Sequence, residues 1–319
     1  MILVTGAGGF VGTAVVSELA RRAIPYRAVT RARCDGDFGI GNIGPGTDWT
    51  AALDGVDAII HLATCAHLNE RVADPIAHFR SANVDSTLNL ALQAIKAGVK
   101  RLVFISSIKV NGEATQRGRP FTADDTPNPQ SDYARFKLEA EQGLFDLSRG
   151  SGLEVTIIRP PLVYGPGVKA NFARMMDWVN RGIPLPLGSI DNRRSFVFVG
   201  NLADLIVLST IHPNADGQVF LVSDGEDIST TELFKKMAQA LGRPPLIIPM
   251  PAVLLTFAAA TIGQSAIASR LIDSLQVDVT KTRALLGWVP HRDIDEGLRQ
   301  TARSFQRPDL YLDPQAKSA

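Results

Sequence analysis

At 319 residues, with 45% hydrophobic and 20% charged residues, the chain has the composition of an ordinary soluble globule of one large or two unequal domains. A net charge of +1 and the lack of any basic run argue against a nucleic-acid partner. Two cysteines, Cys34 and Cys65, make no disulfide framework, and Met1-Ile2-Leu3 has no basic n-region, so a cytoplasmic protein without a signal peptide is expected.

The branched apolar run Ile2-Leu3-Val4 suits a strand buried on both faces of a parallel sheet. Gly6, Gly9 and Gly12 follow at a G-x-x-G-x-x-G spacing, ahead of a helical run Ala14–Arg22. A glycine turn lets the backbone approach a diphosphate, and the helix behind it directs free N–H groups and a positive dipole end at that anion. The stretch reads as a dinucleotide site. Tyr26–Thr30 is a second strand, and the residue ending it should meet the adenosine ribose, where an acid favours NAD and an arginine suits NADP. Arg31 and Arg33 follow Thr30 with no carboxylate before Asp35, so NADP(H) is favoured and NAD(H) is the alternative.

Residues 36–46 are glycine-rich and read as an irregular surface loop. Ala58–His61 is a third buried strand; no second ligand pair has metal spacing, so His61 is expected as a satisfied core residue and no metal site is expected. The run Pro75–Gly98 is helical, with Asn83 and Thr87 on one face. The strand Arg101–Ile105 delivers Ser106-Ser107 to the sheet edge where open parallel sheets bind ligands. This rhythm of strand and helix is that of a doubly wound α/β sheet.

A helix Asp132–Ser148 carries Tyr133 and Lys137 four residues apart, hence on one face. A neighbouring ammonium favours phenolate and is expected to lower the tyrosine pKa from about 10 toward the working range of an acid–base catalyst. Ala252–Ile262 is a run of eleven residues, too short for the roughly 20 that span a bilayer. It is expected to be a buried or dimer-forming helix, with shallow membrane contact the lesser alternative.

Together these stretches resemble the extended short-chain dehydrogenase/reductases of the nucleotide-sugar epimerase/dehydratase group. TGAGGFVG is similar to the family's cofactor loop, His61-Leu62-Ala63 to its strand end, and Asn83 to Thr87 to its N-x-x-x-T helix. Ser107 falls where a catalytic serine or threonine precedes Val-Tyr-Gly, although this chain has Val110-Asn111-Gly112. Arg159 to Gly167, Arg194-Ser195-Phe196-Val197 and Leu286 to Pro290 resemble further family segments.

The resemblance implies that Tyr133 exchanges a proton with the sugar oxygen, that Ser107 hydrogen-bonds it, and that Lys137 holds the nicotinamide ribose. It implies cofactor contacts at Gly6, Gly9, Phe10, Val11, Gly12, Arg31, Arg33, Leu62, Ala63, Asn83 and Pro160, and substrate contacts at Asn171 and Arg194. A homodimer and a UDP-sugar substrate are implied too. The family's dehydratases carry Asp-Glu where this chain has Ile108-Lys109, so a dehydratase is not expected. The leading expectation is an NADP(H)-dependent reductase of a UDP-linked 4-keto-6-deoxy-N-acetylhexosamine for surface polysaccharide. The alternatives are a 4-epimerase with bound NAD and a non-catalytic dinucleotide sensor. Residues 1–163, with a returning segment 195–219, are expected to form the dinucleotide domain, 164–194 and 220–306 the substrate domain, and 307–319 a loose tail.

Overall fold

The computed structural model describes residues 1–31, 37–64, 74–261 and 265–307. In chain order the first half runs β1 (Ile2–Thr5), α1 (Phe10–Arg21), β2 (Tyr26–Thr30), β3 (Phe38–Gly39), α2 (Thr50–Leu53), β4 (Ala58–His61), α3 (Pro75–Arg80), a π-helical turn Ser81–Asp85, α4 (Ser86–Lys96), β5 (Arg101–Ile105) and α5 (Asp132–Ser148). There follow β6 (Glu154–Arg159), β7 (Leu162–Tyr164), α6 (Ala170–Asn180), β8 (Arg194–Phe198), α7 (Val199–Ser209), β9 (Val219–Leu221), β10 (Asp227–Ile228) and α8 (Thr230–Leu241). The chain ends in α9 (Ala252–Thr261), α10 (Ser265–Ile272), α11 (Thr280–Leu286) and α12 (Ile294–Gln306).

Seven strands form one sheet in the order β3-β2-β1-β4-β5-β6-β9, with every pair parallel. Consecutive strand residues point to opposite faces, so both members of each apolar pair are buried. Val4, Ile60, Val103 and Ile158 pack with Val15 and Leu19 of α1 and with Leu202 and Ile206 of α7. Their neighbours Leu3, Ile59, Leu102 and Ile157 pack with Leu90 of α4 and Leu144 of α5. The sequence is therefore apolar without alternation where the sheet is covered on both sides. A second, three-stranded sheet has the order β10-β8-β7, and beside it Phe172, Met176, Phe196, Phe234 and Leu298 form a separate core.

Several boundaries differ from expectation. Helix α1 starts at Phe10 rather than Ala14, because Gly9 is its cap and the last glycine of the motif already lies in the first turn. The glycine-rich stretch contains a two-residue strand, β3, which extends the sheet beyond β2. The expected continuous helix Pro75–Gly98 is interrupted by the π-helical turn. The apolar segment 252–261 is helical but not buried: Val253, Leu254 and Phe257 face solvent. Arg33, Cys34 and Cys65, and the tail from residue 308, lie outside the described residues.

Candidate active site

Connections leave the sheet in opposite directions on either side of the β1–β4 pair, so a crevice opens at the carboxyl ends of these strands. The glycine motif lines it. Gly6 has φ +71°, and a Cβ there would lie 2.8 Å from the amide nitrogen of Ala63. A Cβ on Gly12 would lie 2.1 Å from the Gly6 carbonyl oxygen, and Gly9 N–H donates to that same oxygen at 2.9 Å. The turn is thus folded so tightly that side chains are excluded on the loop side and on the helix side. No side chain caps α1. Uncapped N–H groups at a helix N-terminus behind a glycine turn are a donor set that fits a diphosphate.

Leu62 and Ala63 leave β4 beside this turn, Leu62 N–H donating to the Thr5 carbonyl at 3.2 Å. Phe10 and Val11, the first residues of α1, are half-buried against the smaller core. His61 is buried as expected, its Nδ1 2.7 Å from Thr5 Oγ1 and its Nε2 3.0 Å from Thr87 Oγ1. Since Thr87 donates to the Asn83 carbonyl at 2.7 Å, the network assigns the proton to Nε2, with Nδ1 accepting from Thr5. Burial, with Lys137 adding to it, lowers the His61 pKa to about 3, so the ring stays neutral.

The residues expected to carry acid–base chemistry meet at the ends of β4 and β5. Lys137 is buried, its Nζ donating to the Ile105 carbonyl at 2.9 Å and standing 4.4 Å from the centre of the Phe104 ring. Desolvation lowers its pKa to about 8, against an opposing pull from Glu141. Tyr133 lies one turn earlier, its ring centre 6.0 Å from that Nζ and 6.5 Å from the Phe79 ring. Burial raises the Tyr133 pKa, and a hydrogen bond with Thr64 works the other way. The expected lowering by Lys137 is not present: the ammonium is turned to a backbone carbonyl, so desolvation of the phenol dominates. Thr64 in turn donates to Asn83 Oδ1 at 2.7 Å, and Asn83 is set by the π-helical turn.

Ser107 caps a short 3₁₀ turn, Ile108–Val110, its Oγ accepting from Lys109 N–H at 3.3 Å. The turn is held to β6, with Ser106 N–H donating to the Ile158 carbonyl at 2.8 Å and Ile108 N–H to that of Pro160 at 3.0 Å. Among the described residues the buried Ser106 Oγ has no hydrogen-bond partner; it follows Ile105, whose carbonyl accepts from Lys137. Behind this turn lies a buried ion pair. Arg159 Nη2 meets Glu141 Oε2 at 2.5 Å and Arg159 Nη1 donates to Asn111 Oδ1 at 3.0 Å. Asn111 Nδ2 donates to the Thr122 carbonyl at 2.9 Å. The asparagine that departs from Val-Tyr-Gly is therefore a structural link from β6 to the Ser107 turn.

The other expected residues lie elsewhere. Arg31 is exposed just beyond β2, where Thr30 nears the glycine turn: a Cβ on Gly8 would be 3.9 Å from its methyl group. Arg194 opens β8, its Nη1 donating to the Asp273 carbonyl at 2.8 Å, and burial lowers its pKa. Asn171 is exposed near the start of α6 and does not cap it; that place belongs to Lys169. Thr64, Glu141 and Asp273 were not anticipated. Glu141 had a signal, since it continues the four-residue spacing of Tyr133 and Lys137. Among the described residues no group of three His, Cys, Asp or Glu is placed to hold a metal.

A doubly wound sheet with this crevice and acid–base group is the architecture of the extended short-chain dehydrogenase/reductase enzymes. The chain belongs to the NAD dependent epimerase/dehydratase family, whose description matches residues 2–223. It is 46% identical over 311 residues to the UDP-glucose 4-epimerase of Vibrio cholerae, covering 95% of each chain. It is 30% identical over 256 residues, 76% of each chain, to the 2-alkyl-3-oxoalkanoate reductase of Stenotrophomonas maltophilia. Among solved structures it is similar to MoeE5 in complex with UDP-glucuronic acid and NAD, with 26% identity, a TM-score of 0.77, and 97% of this chain and 99% of that one covered.

Proposed function

We propose that the protein is a 4-epimerase of a UDP-linked hexose that retains NAD(H) through its catalytic cycle. The observation that carries this reading is the 46% identity to the Vibrio cholerae UDP-glucose 4-epimerase along nearly the whole of both chains. That likeness sets the epimerase ahead of the reductase expected from Arg31. Residues up to β6, with α7 and β9, are the cofactor-binding part, and segments around α6, α8 and α12 are the sugar-binding part.

The backbone of Gly6, Gly9, Phe10, Val11 and Gly12 would hold the diphosphate, and Leu62, Ala63, Asn83, Lys137 and Pro160 would line the rest of the cofactor site. A nicotinamide bound there supplies the hydride acceptor and donor. Tyr133 takes the proton of the sugar C4 hydroxyl as that carbon is oxidised, and returns it when the carbonyl is reduced on the opposite face. Burial raises the Tyr133 pKa, with the Thr64 hydrogen bond opposing it, which favours the protonated phenol that returns a proton to the C4 carbonyl oxygen. Ser107 hydrogen-bonds the same sugar oxygen, and the guanidinium of Arg194, with its planar fork of donors, suits the sugar diphosphate.

A second reading, an NADP(H)-dependent reductase of a UDP-4-keto sugar, is favoured by the exposed Arg31 and the lack of an acid directly after β2. Denaturing the purified protein and identifying the released dinucleotide separates the two. Stoichiometric NAD(H), together with interconversion of UDP-glucose and UDP-galactose, supports the epimerase. Empty protein that binds NADPH more tightly than NADH and oxidises it with a UDP-4-keto sugar overturns it.

A further inference from the structure

Between Arg243 and Arg270 lie 26 residues, 244–269, with no Asp, Glu, Lys, Arg or His. A chain that is 20% charged would place about five charges in a run of that length. Several of its described residues are displayed. Val253, Leu254 and Phe257 of α9 are 76%, 55% and 71% exposed, and Leu246 and Ile248 before the helix are exposed too. Among the described side chains of α9, Ala252 and Leu255 turn inward, Leu255 resting on the smaller core. The exposed Thr256 donates back to the Val253 carbonyl at 2.8 Å.

The patch is fixed to the body. Leu185 N–H donates to the Leu246 carbonyl at 2.9 Å and Ile248 N–H to that of Leu185 at 2.8 Å. Ile183, at the start of that strap, is exposed and widens the apolar surface. Exposed apolar side chains grouped in this way mark an interaction site.

We propose that this face docks on the surface of an anionic phospholipid bilayer, the apolar side chains entering the boundary of headgroups and acyl chains. Two observations select lipid over a second copy of the chain. The exposed cations Arg243 and Arg270 bound the run, and phosphate headgroups answer them. Two copies meeting here would bring four arginines around one patch whose own run holds no acid. Val253, Leu254 and Phe257 also stand out from α9 as exposed apolar side chains, with Thr256 bonded back to its own helix, which suits immersion. Ten helical residues reach about 15 Å, half the hydrocarbon thickness, so α9 lies in the interface and does not cross it. No described helix is long and apolar enough to cross a membrane. The proposal is independent of the sugar chemistry.

The test is flotation of the full-length protein with vesicles of phosphatidylethanolamine and phosphatidylglycerol at a ratio of about 3:1, against pure phosphatidylcholine. Co-flotation with the anionic vesicles, at least about tenfold stronger than with phosphatidylcholine, is expected. The variant Val253→Asp/Phe257→Asp should abolish it with the thermal transition unchanged, while Ile211→Asp, on an exposed residue away from the run, should not. Arg243→Gln and Arg270→Gln, which leave the apolar residues intact, should each weaken it about fivefold. No flotation, or flotation unaffected by the aspartates, overturns the proposal. A fall in sedimenting mass for the aspartate variant without vesicles assigns the face to a second copy and also overturns it.

Discussion

Glu141→Gln would leave Arg159 charged, buried and without its counter-ion. The two side chains are 2% and 4% exposed, and Arg159 also holds Asn111 on the Ser107 turn. Removing one partner of such a pair costs about 3–5 kcal/mol, because the remaining charge keeps its desolvation penalty. Removing both charges in Glu141→Leu/Arg159→Met should cost much less, about 1–3 kcal/mol, the price of Asn111 losing its donor. Urea unfolding followed by fluorescence measures both. The same substitution has a kinetic signature. Glu141 props up the Lys137 pKa against desolvation, so without it the lysine loses its proton at lower pH. The alkaline fall in kcat, expected as pH rises through about 8, should move to lower pH in Glu141→Gln. A single-variant cost below about 1 kcal/mol, or an unmoved alkaline limb, would refute the reasoning.

Tyr133→Phe should lower turnover more than about 100-fold while cofactor binding by fluorescence titration stays near normal; near-normal turnover would remove the assigned acid. Gly12→Ala should abolish dinucleotide binding, since its methyl group would lie 2.1 Å from the Gly6 carbonyl; unchanged binding would separate the glycine turn from the cofactor. His61 stays neutral in the folded state down to about pH 3, whereas its unfolded counterpart takes a proton below about 6.5. Its contribution is therefore present above about pH 6.5 and lost as pH falls, by about 1.4 kcal/mol per unit. His61→Gln should flatten the acid limb of the stability curve. Arg31→Asp should shift the cofactor preference toward NAD, measured as the ratio of dissociation constants; an unchanged ratio removes Arg31 from the ribose site.

The sequence made β4 and β5 legible because their apolar residues are consecutive; these two, together with β2 and α5, have the bounds read from it. The glycine spacing was legible because a Cβ on Gly6 would strike the backbone of Ala63 and one on Gly12 the Gly6 carbonyl oxygen. What stayed hidden depends on contacts distant in sequence. The burial of Lys137 sets its carbonyl partner and removes the expected effect on the phenol, and no local spacing announces that. Asn111 reads as a defect in a motif until Arg159, 48 residues on, is placed against it. Of the options for Ala252–Ile262, the buried one does not hold, because apolar composition fits a buried helix and a displayed one equally.

The π-helical turn at Ser81–Asp85 amounts to one residue more than a regular helix needs between Pro75 and Lys96. Deleting a single residue there would regularise the ladder and turn everything before it by about 100°. Phe79, now 6.5 Å from the Tyr133 ring and 5.9 Å from that of Phe136, would swing off the face of α5. Asn83 would leave Thr64, which itself touches the phenol. A one-codon deletion on this helix is thus a route by which a lineage could retune the acid–base residue while every side chain of the pocket stays spelled as before.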